Sequence, residues 1–144
     1  MLNLLLATVV LISGPKGEQT ISAADLAALP RAEAALSDHG KPASFEGVVL
    51  FSLLERVGAP AGESLRGKEL TKYVVVEASD GYRALFSLAE LSPAFSDRKV
   101  LLATRRDGKP LSADEGPFQI AVEGEKRMGR CVRQVTAIRI FDAK

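Results

Sequence analysis

EASDGYRALFSLAELSPAFSDRKVLLAT, residues 77–104, decides the fold, because it holds two turn signals with a strand on either side of them. Tyr73 to Ala78 is a β-branched run suited to a pleated backbone. Asp80-Gly81 predicts a tight hairpin turn with positive φ angles, and Tyr82 to Phe86 the returning strand. Ser87-Leu88-Ala89-Glu90 has the spacing of a capping box, in which the serine hydroxyl accepts from the backbone N–H three residues on and the glutamate reaches back. A short helix follows, ended near Pro93, and Val100 to Thr104 reads as a third strand.

Downstream, Arg105-Arg106-Asp107-Gly108-Lys109-Pro110-Leu111 repeats the Asp-Gly signal, and Pro110 should end strand pairing because it has no N–H to give. Ser112 to Pro117 is a polar loop, Phe118 to Val122 a strand and Glu123 to Gly129 a charged loop. Val132 to Phe141 is the last strand, with Ile138 and Ile140 on one face and Arg139 on the other.

Upstream, Leu2 to Ile12 is apolar but too short to span a bilayer. It could be the core of a signal peptide, yet a basic flank and a small-residue cleavage site are missing. The preferred reading takes Ala7 to Ser13 as the first strand, turning at Gly14 to Gly17 into Glu18 to Ile21, with Met1 to Leu6 a signal remnant or start-site artefact. Ser22 caps a helix from Ala23 to Ala28 that Pro30 stops. Arg31 to Leu36 is a further strand and Ser37 to Ser44 a polar loop containing His39, which reads as solvated. Phe45 to Val49 leads into a helix, Leu50 to Val57, whose leucines repeat at helical spacing; Gly58 fits the left-handed residue after it. Ala61 to Thr71 is a surface connection. The expectation is a single α+β domain over residues 1–144, β-rich and mixed, with short helices.

Of the 144 residues, 47% are hydrophobic and 26% charged, which is ordinary globular chemistry. One cysteine and one histidine exclude an internal disulfide and a Cys/His zinc site within one chain. The formal charge of +1 conceals an asymmetry: residues 98–144 carry 11 Lys and Arg against 6 Asp and Glu. Such a region attracts anions if its arginines share a face, and is plain solvated surface if they do not. Nucleic acid is disfavoured, since no basic run is interleaved with aromatics.

Taken in order, Phe45-Glu46-Gly47, LFSLLERVGAP, Asp80-Gly81-Tyr82, the Leu-Ser-Pro helix end, VLLAT, DGKPL and Gly116-Pro117 resemble the molybdopterin-binding domain of the sulfite oxidase family. The likeness is to its small bacterial stand-alone versions. It runs from about Ser44 to Ile140 and rests on the order of the motifs. It implies a sulfite-oxidase-like fold, a pterin or molybdopterin cofactor, and pterin-contacting loops at Asp114 to Gln119 and Arg127 to Arg133. The candidate cofactor-binding residues are therefore Tyr82, Asp114, Gln119, Arg127, Arg130, Cys131 and Arg133. Two departures weaken an anion site: the family usually has arginine where this chain has Gln119, and proline where it has Glu123. A third concerns the metal. The family anchors molybdenum with a cysteine thiolate ahead of the Phe45-Glu46-Gly47 segment, and residues 1–44 contain none.

No metal is therefore expected, and no catalytic residue is assigned. Cys131 reads as a packing or pocket-lining residue. The first expectation is a non-catalytic module binding a pterin-like small molecule, with Tyr82 or an arginine plane stacked on the ring and Asp114 accepting from its N–H donors. The resemblance further implies a periplasmic home and a membrane signalling protein as partner. The alternatives are a molybdenum-cofactor oxidoreductase, or a subunit of one, and a scaffold acting through protein contacts.

Overall fold

The computed structural model describes residues 9–144; Ala7 and Thr8 of the expected first strand, and the Met1 to Leu6 remnant, lie outside the described residues. Among the described residues, β-branched and alternating runs make ten strands: β1 (Val9–Gly14), β2 (Gly17–Ser22), β3 (Ala32–Asp38), β4 (Lys41–Val49), β5 (Lys72–Ala78), β6 (Arg83–Ser87), β7 (Val100–Arg106), β8 (Lys109–Pro110), β9 (Gln119–Val122) and β10 (Val135–Asp142). Three short α-helices lie between them: α1 (Ala23–Ala27), α2 (Leu50–Glu55) and α3 (Leu88–Leu91). α1 and α3 both open with complete capping boxes. Asp25 N–H donates to Ser22 Oγ at 3.1 Å and Glu90 N–H to Ser87 Oγ at 3.2 Å, while each carboxylate accepts from the serine backbone N–H.

One sheet has the order β2-β1-β10-β5-β6, antiparallel except for the parallel pair β1 and β10. The other runs β3-β4-β7, and β8 and β9 both pair with β7, at Arg105–Arg106 and at Val100–Ala103. Pro110 cannot donate to the ladder, but Leu111 N–H still donates to Thr104 O at 3.2 Å; the chain then loops out and rejoins β7 where Gln119 faces Ala103. That excursion carries Asp114. Both sheets bury their apolar sides in one core: Val74, Val76, Phe86 and Ile138 come from the first, Phe45, Leu101 and Ile120 from the second, and Leu50, Leu53 and Leu54 from α2. The result is the β-rich mixed fold expected from the sequence.

Several boundaries differ for identifiable reasons. The hairpin at Asp80-Gly81 has three loop residues; only Gly81 is left-handed (φ 90°), Gly81 N–H donates to Ala78 O, and Ala78 N–H donates to Tyr82 O. The expected loop Ser37 to Ser44 is instead strand on both sides of a two-residue turn. His39 (φ 53°) and Gly40 (φ 85°) both adopt the left-handed conformation that such a turn demands, and β4 then runs unbroken through Phe45 to Val49. The last strand begins at Val135 because Gln134 is left-handed (φ 51°) and breaks the run from Val132. The connection from Ala61 to Thr71 forms two 3-10 turns, Gly62–Ser64 and Gly67–Thr71, with Leu65 buried between them.

Gly47 sits where the β4–β7 register slips, and a β-carbon there would lie 2.1 Å from Leu102 O and 2.6 Å from Ala103 Cα. Both neighbours are backbone of a buried strand and cannot yield. Gly47→Ala should therefore destabilise the domain by about 1–3 kcal/mol, read as a lower urea midpoint with an unchanged slope; a midpoint within error of the parent would show that the sheet accommodates the methyl group.

Candidate functional site

Three loops meet beyond one end of β5 and β6: the hairpin turn at 79–81, the 111–118 excursion, and the 123–134 segment ahead of β10. A cleft of about 330 Å³ opens between them, and Tyr82, Asp114, Cys131 and Arg133 are among the residues that line it. Gln134, also in its wall, holds the loops together with all four of its polar groups. Its backbone N–H donates to Glu115 O at 2.8 Å and its side-chain Nε2 to Ala113 O at 2.9 Å, both in the excursion. Its carbonyl accepts from Ser79 N–H at 3.0 Å and its Oε1 from Ser79 Oγ at 2.8 Å, both in the hairpin turn. Across the cleft, Tyr82 Oη donates to Gly129 O at 2.5 Å, although the ring is half exposed. Asp80 Oδ1 accepts from Tyr82 N–H at 3.0 Å, fixing the base of that side chain.

The arginines behind the cleft are paired. Arg130 donates to Glu125 at 3.0 Å and to Glu90 at 2.9 Å, and its guanidinium lies 4.5 Å from the centre of the Phe86 ring. Arg98 completes the chain at 3.1 Å from Glu125. Arg106 binds Asp38 at 2.7 Å and Glu115 at 2.6 Å, joining β3 and β7 to the excursion, and sits 5.3 Å from the Phe45 ring centre. Burial tends to lower both guanidinium pKa values, but the paired carboxylates outweigh it and raise them. In Asp38 the hydrogen bond from Arg106, with a second contact from His39, pulls the carboxyl below its ordinary value of 3.8. In Glu90 burial pushes upward, yet the bonds from Arg130 and the Ser87 backbone bring the carboxyl below its ordinary 4.5.

Of the residues singled out from sequence, the structure brings Tyr82, Asp114, Cys131 and Arg133 to one cleft. The other three do not line it. Arg130 is turned away into the Glu90–Glu125 pair, and Arg127 is exposed at the foot of the Met128–Arg130 turn. Gln119 is fully buried in β9; its Nε2 donates to Cys131 O at 3.4 Å, and its Oε1 has no protein partner among the described residues. Sequence reasoning missed Gln134 and Asp80. Asp80 was visible only as half of a turn signal, and Gln134 carried no signal, because glutamine is not a residue expected at positive φ.

Fold and cleft together define a β-rich, two-sheet domain with a loop-built cleft, and comparison with known proteins gives the family. Residues 37–144 match the oxidoreductase molybdopterin binding domain family, and the chain belongs to it. No curated protein gives a significant sequence match. Among solved structures, the crystal structure of the sulfane dehydrogenase SoxCD from Paracoccus pantotrophus is similar, with a TM-score of 0.69 and 18% sequence identity. The match covers 94% of this chain and 38% of that one, so the present chain spans well under half the length of that neighbour and shares its fold.

The residues lining this cleft suit the ring of a pterin, the heterocycle of a molybdopterin, and not its phosphate. A half-exposed ring, two carboxylates as acceptors and one guanidinium as donor are what a flat heterocycle with a donor-rich edge requires. A thiolate-held metal does not fit the residues present. The single cysteine, Cys131, is 2% exposed, and burial raises its thiol above the ordinary value of 9.0, so at neutral pH it is a protonated packing group. Among the described residues, no three His, Cys, Asp or Glu side chains form a metal-binding cluster.

Two outcomes are expected. Gln134→Ala removes two side-chain hydrogen bonds between the cleft loops and should cost about 1–3 kcal/mol, with faster amide exchange at Ser79 and in the 112–116 loop than at β10; uniform exchange would mean that Gln134 does not hold those loops. Asp38 and Glu90 have lowered folded-state pKa values, so their stabilisation is complete above the unfolded values of 3.8 and 4.5 and is lost as pH falls through the folded ones. Urea midpoints should drop below about pH 4.5, and Asp38→Asn with Glu90→Gln should flatten that drop.

Proposed function

We propose that this chain recognises a pterin-type small molecule and does not itself run molybdenum chemistry. The observation that carries the reading is the convergence of Tyr82, Asp114 and Arg133 on one cleft whose single thiol is buried and protonated. Tyr82 offers its face to the ring, Asp114 accepts from the amino-pyrimidinone edge, and Arg133 donates to the ring carbonyl. Family membership supports the ligand class. With no thiolate to hold a metal, binding rather than turnover is what these residues do. We further propose a periplasmic module that reports ligand occupancy to a membrane signalling protein.

The family description favours a second reading, an oxidoreductase subunit whose metal ligand comes from a partner. The two differ in what the isolated chain does. On our reading it binds biopterin saturably in calorimetry, with a ligand-induced rise in melting temperature. Tyr82→Ala should weaken that binding about fivefold, the worth of one stacking contact of about 1 kcal/mol. Absence of both heat and thermal shift would end the proposal.

A further inference from the structure

We infer that the cleft selects an unphosphorylated pterin and rejects one that ends in a phosphate. This rests on the pterin reading above and concerns the charge of the site that reading uses. The ionisable side chains lining the cleft are Asp80, Asp114, Cys131 and Arg133. With the thiol protonated, two carboxylates face one guanidinium, and the formal balance is one negative charge. A phosphate brings up to two more.

The arginines behind the cleft are held elsewhere, and Lys126 and Arg127 are absent from its wall. Arg130, at the centre of the segment expected to grip phosphate, donates three bonds to Glu125 and Glu90 and rests on Phe86. Turning it into the cleft would break three hydrogen bonds and leave Glu125, only 14% exposed, with Arg98 alone as its cation and Glu90 with its Ser87 cap alone. Arg106 is fixed between Asp38 and Glu115. Gln119, where the family resemblance calls for arginine, is neutral and fully buried. Arg127 is exposed beside the cleft without lining it. The short helical turn at Met128–Arg130 is a single turn and adds no dipole of consequence. The same carboxylates that repel a phosphate are well suited to the amide and amino hydrogens of a neutral pterin, which need acceptors and no counter-charge.

The experiment compares biopterin with neopterin phosphate by calorimetry at low and at physiological salt, on the full chain. Biopterin should bind about fivefold more tightly or better, the size of one unit-charge repulsion at contact distance in water. Added salt should narrow the gap by screening that repulsion. Asp80→Asn with Asp114→Asn should raise affinity for the phosphate form relative to biopterin. Tighter binding of neopterin phosphate, or its weakening by salt as a cation-held anion would show, overturns the inference while leaving the pterin reading intact. An unchanged ratio in the double variant overturns it as well. Failure of both pterins to bind overturns the pterin reading, and this inference with it.

Discussion

The cleft exists because of one glutamine held in an unfavourable backbone conformation. Gln134 at φ 51° lies in a region that non-glycine residues seldom occupy, at a cost of order 1–3 kcal/mol. Its two backbone and two side-chain polar groups are all bonded, to Ser79 on one side and to Ala113 and Glu115 on the other. Four hydrogen bonds at about 1 kcal/mol each are enough to keep it there. The geometry has a structural consequence: the hairpin turn of the first sheet and the excursion leaving the second are locked to the start of β10. The walls of the cleft are thus tied to the sheets behind it, and such ties favour preorganised recognition.

Electrostatics gives the second layer. The arginine-rich C-terminal third is neutralised by acids contributed mostly from elsewhere in the chain: Asp38 and Glu115 hold Arg106, Glu90 and Glu125 hold Arg130, and Glu77 holds Arg139. Each of the first two arginines also lies over a buried phenylalanine ring. These pairs brace the loops from behind, and they leave Arg133 as the guanidinium on the cleft wall. A region that is strongly basic in sequence becomes, at its cleft, slightly acidic.

How much of this was legible in the sequence follows from how local each cause is. The Ser87 capping box, the Ser22 cap, the Asp-Gly turns, the leucine spacing of α2 and the glycine after it depend on neighbours within a few residues, and they could be read. The His39-Gly40 turn was missed because His-Gly is not one of the usual two-residue hairpin pairs, so β3 and β4 looked like strand, loop and helix lead-in. The buried Leu65 is an anchor in a stretch with no apolar periodicity. At the site, Tyr82, Asp114 and Arg133 were identifiable from motif order, whereas the withdrawal of Arg130 was not. Its partner Glu90 lies 40 residues away, and the sequence records only that Glu90 belongs to a capping box.

The chain belongs to the molybdopterin-binding family, and the proposed function is that it supplies a cradle for the heterocycle and no thiolate for the metal. The most direct test is the molybdenum content of the chain purified from a host that makes the cofactor, measured by mass spectrometry against protein concentration. The account predicts molybdenum far below one atom per chain; a stoichiometric metal that stays bound through gel filtration would contradict it.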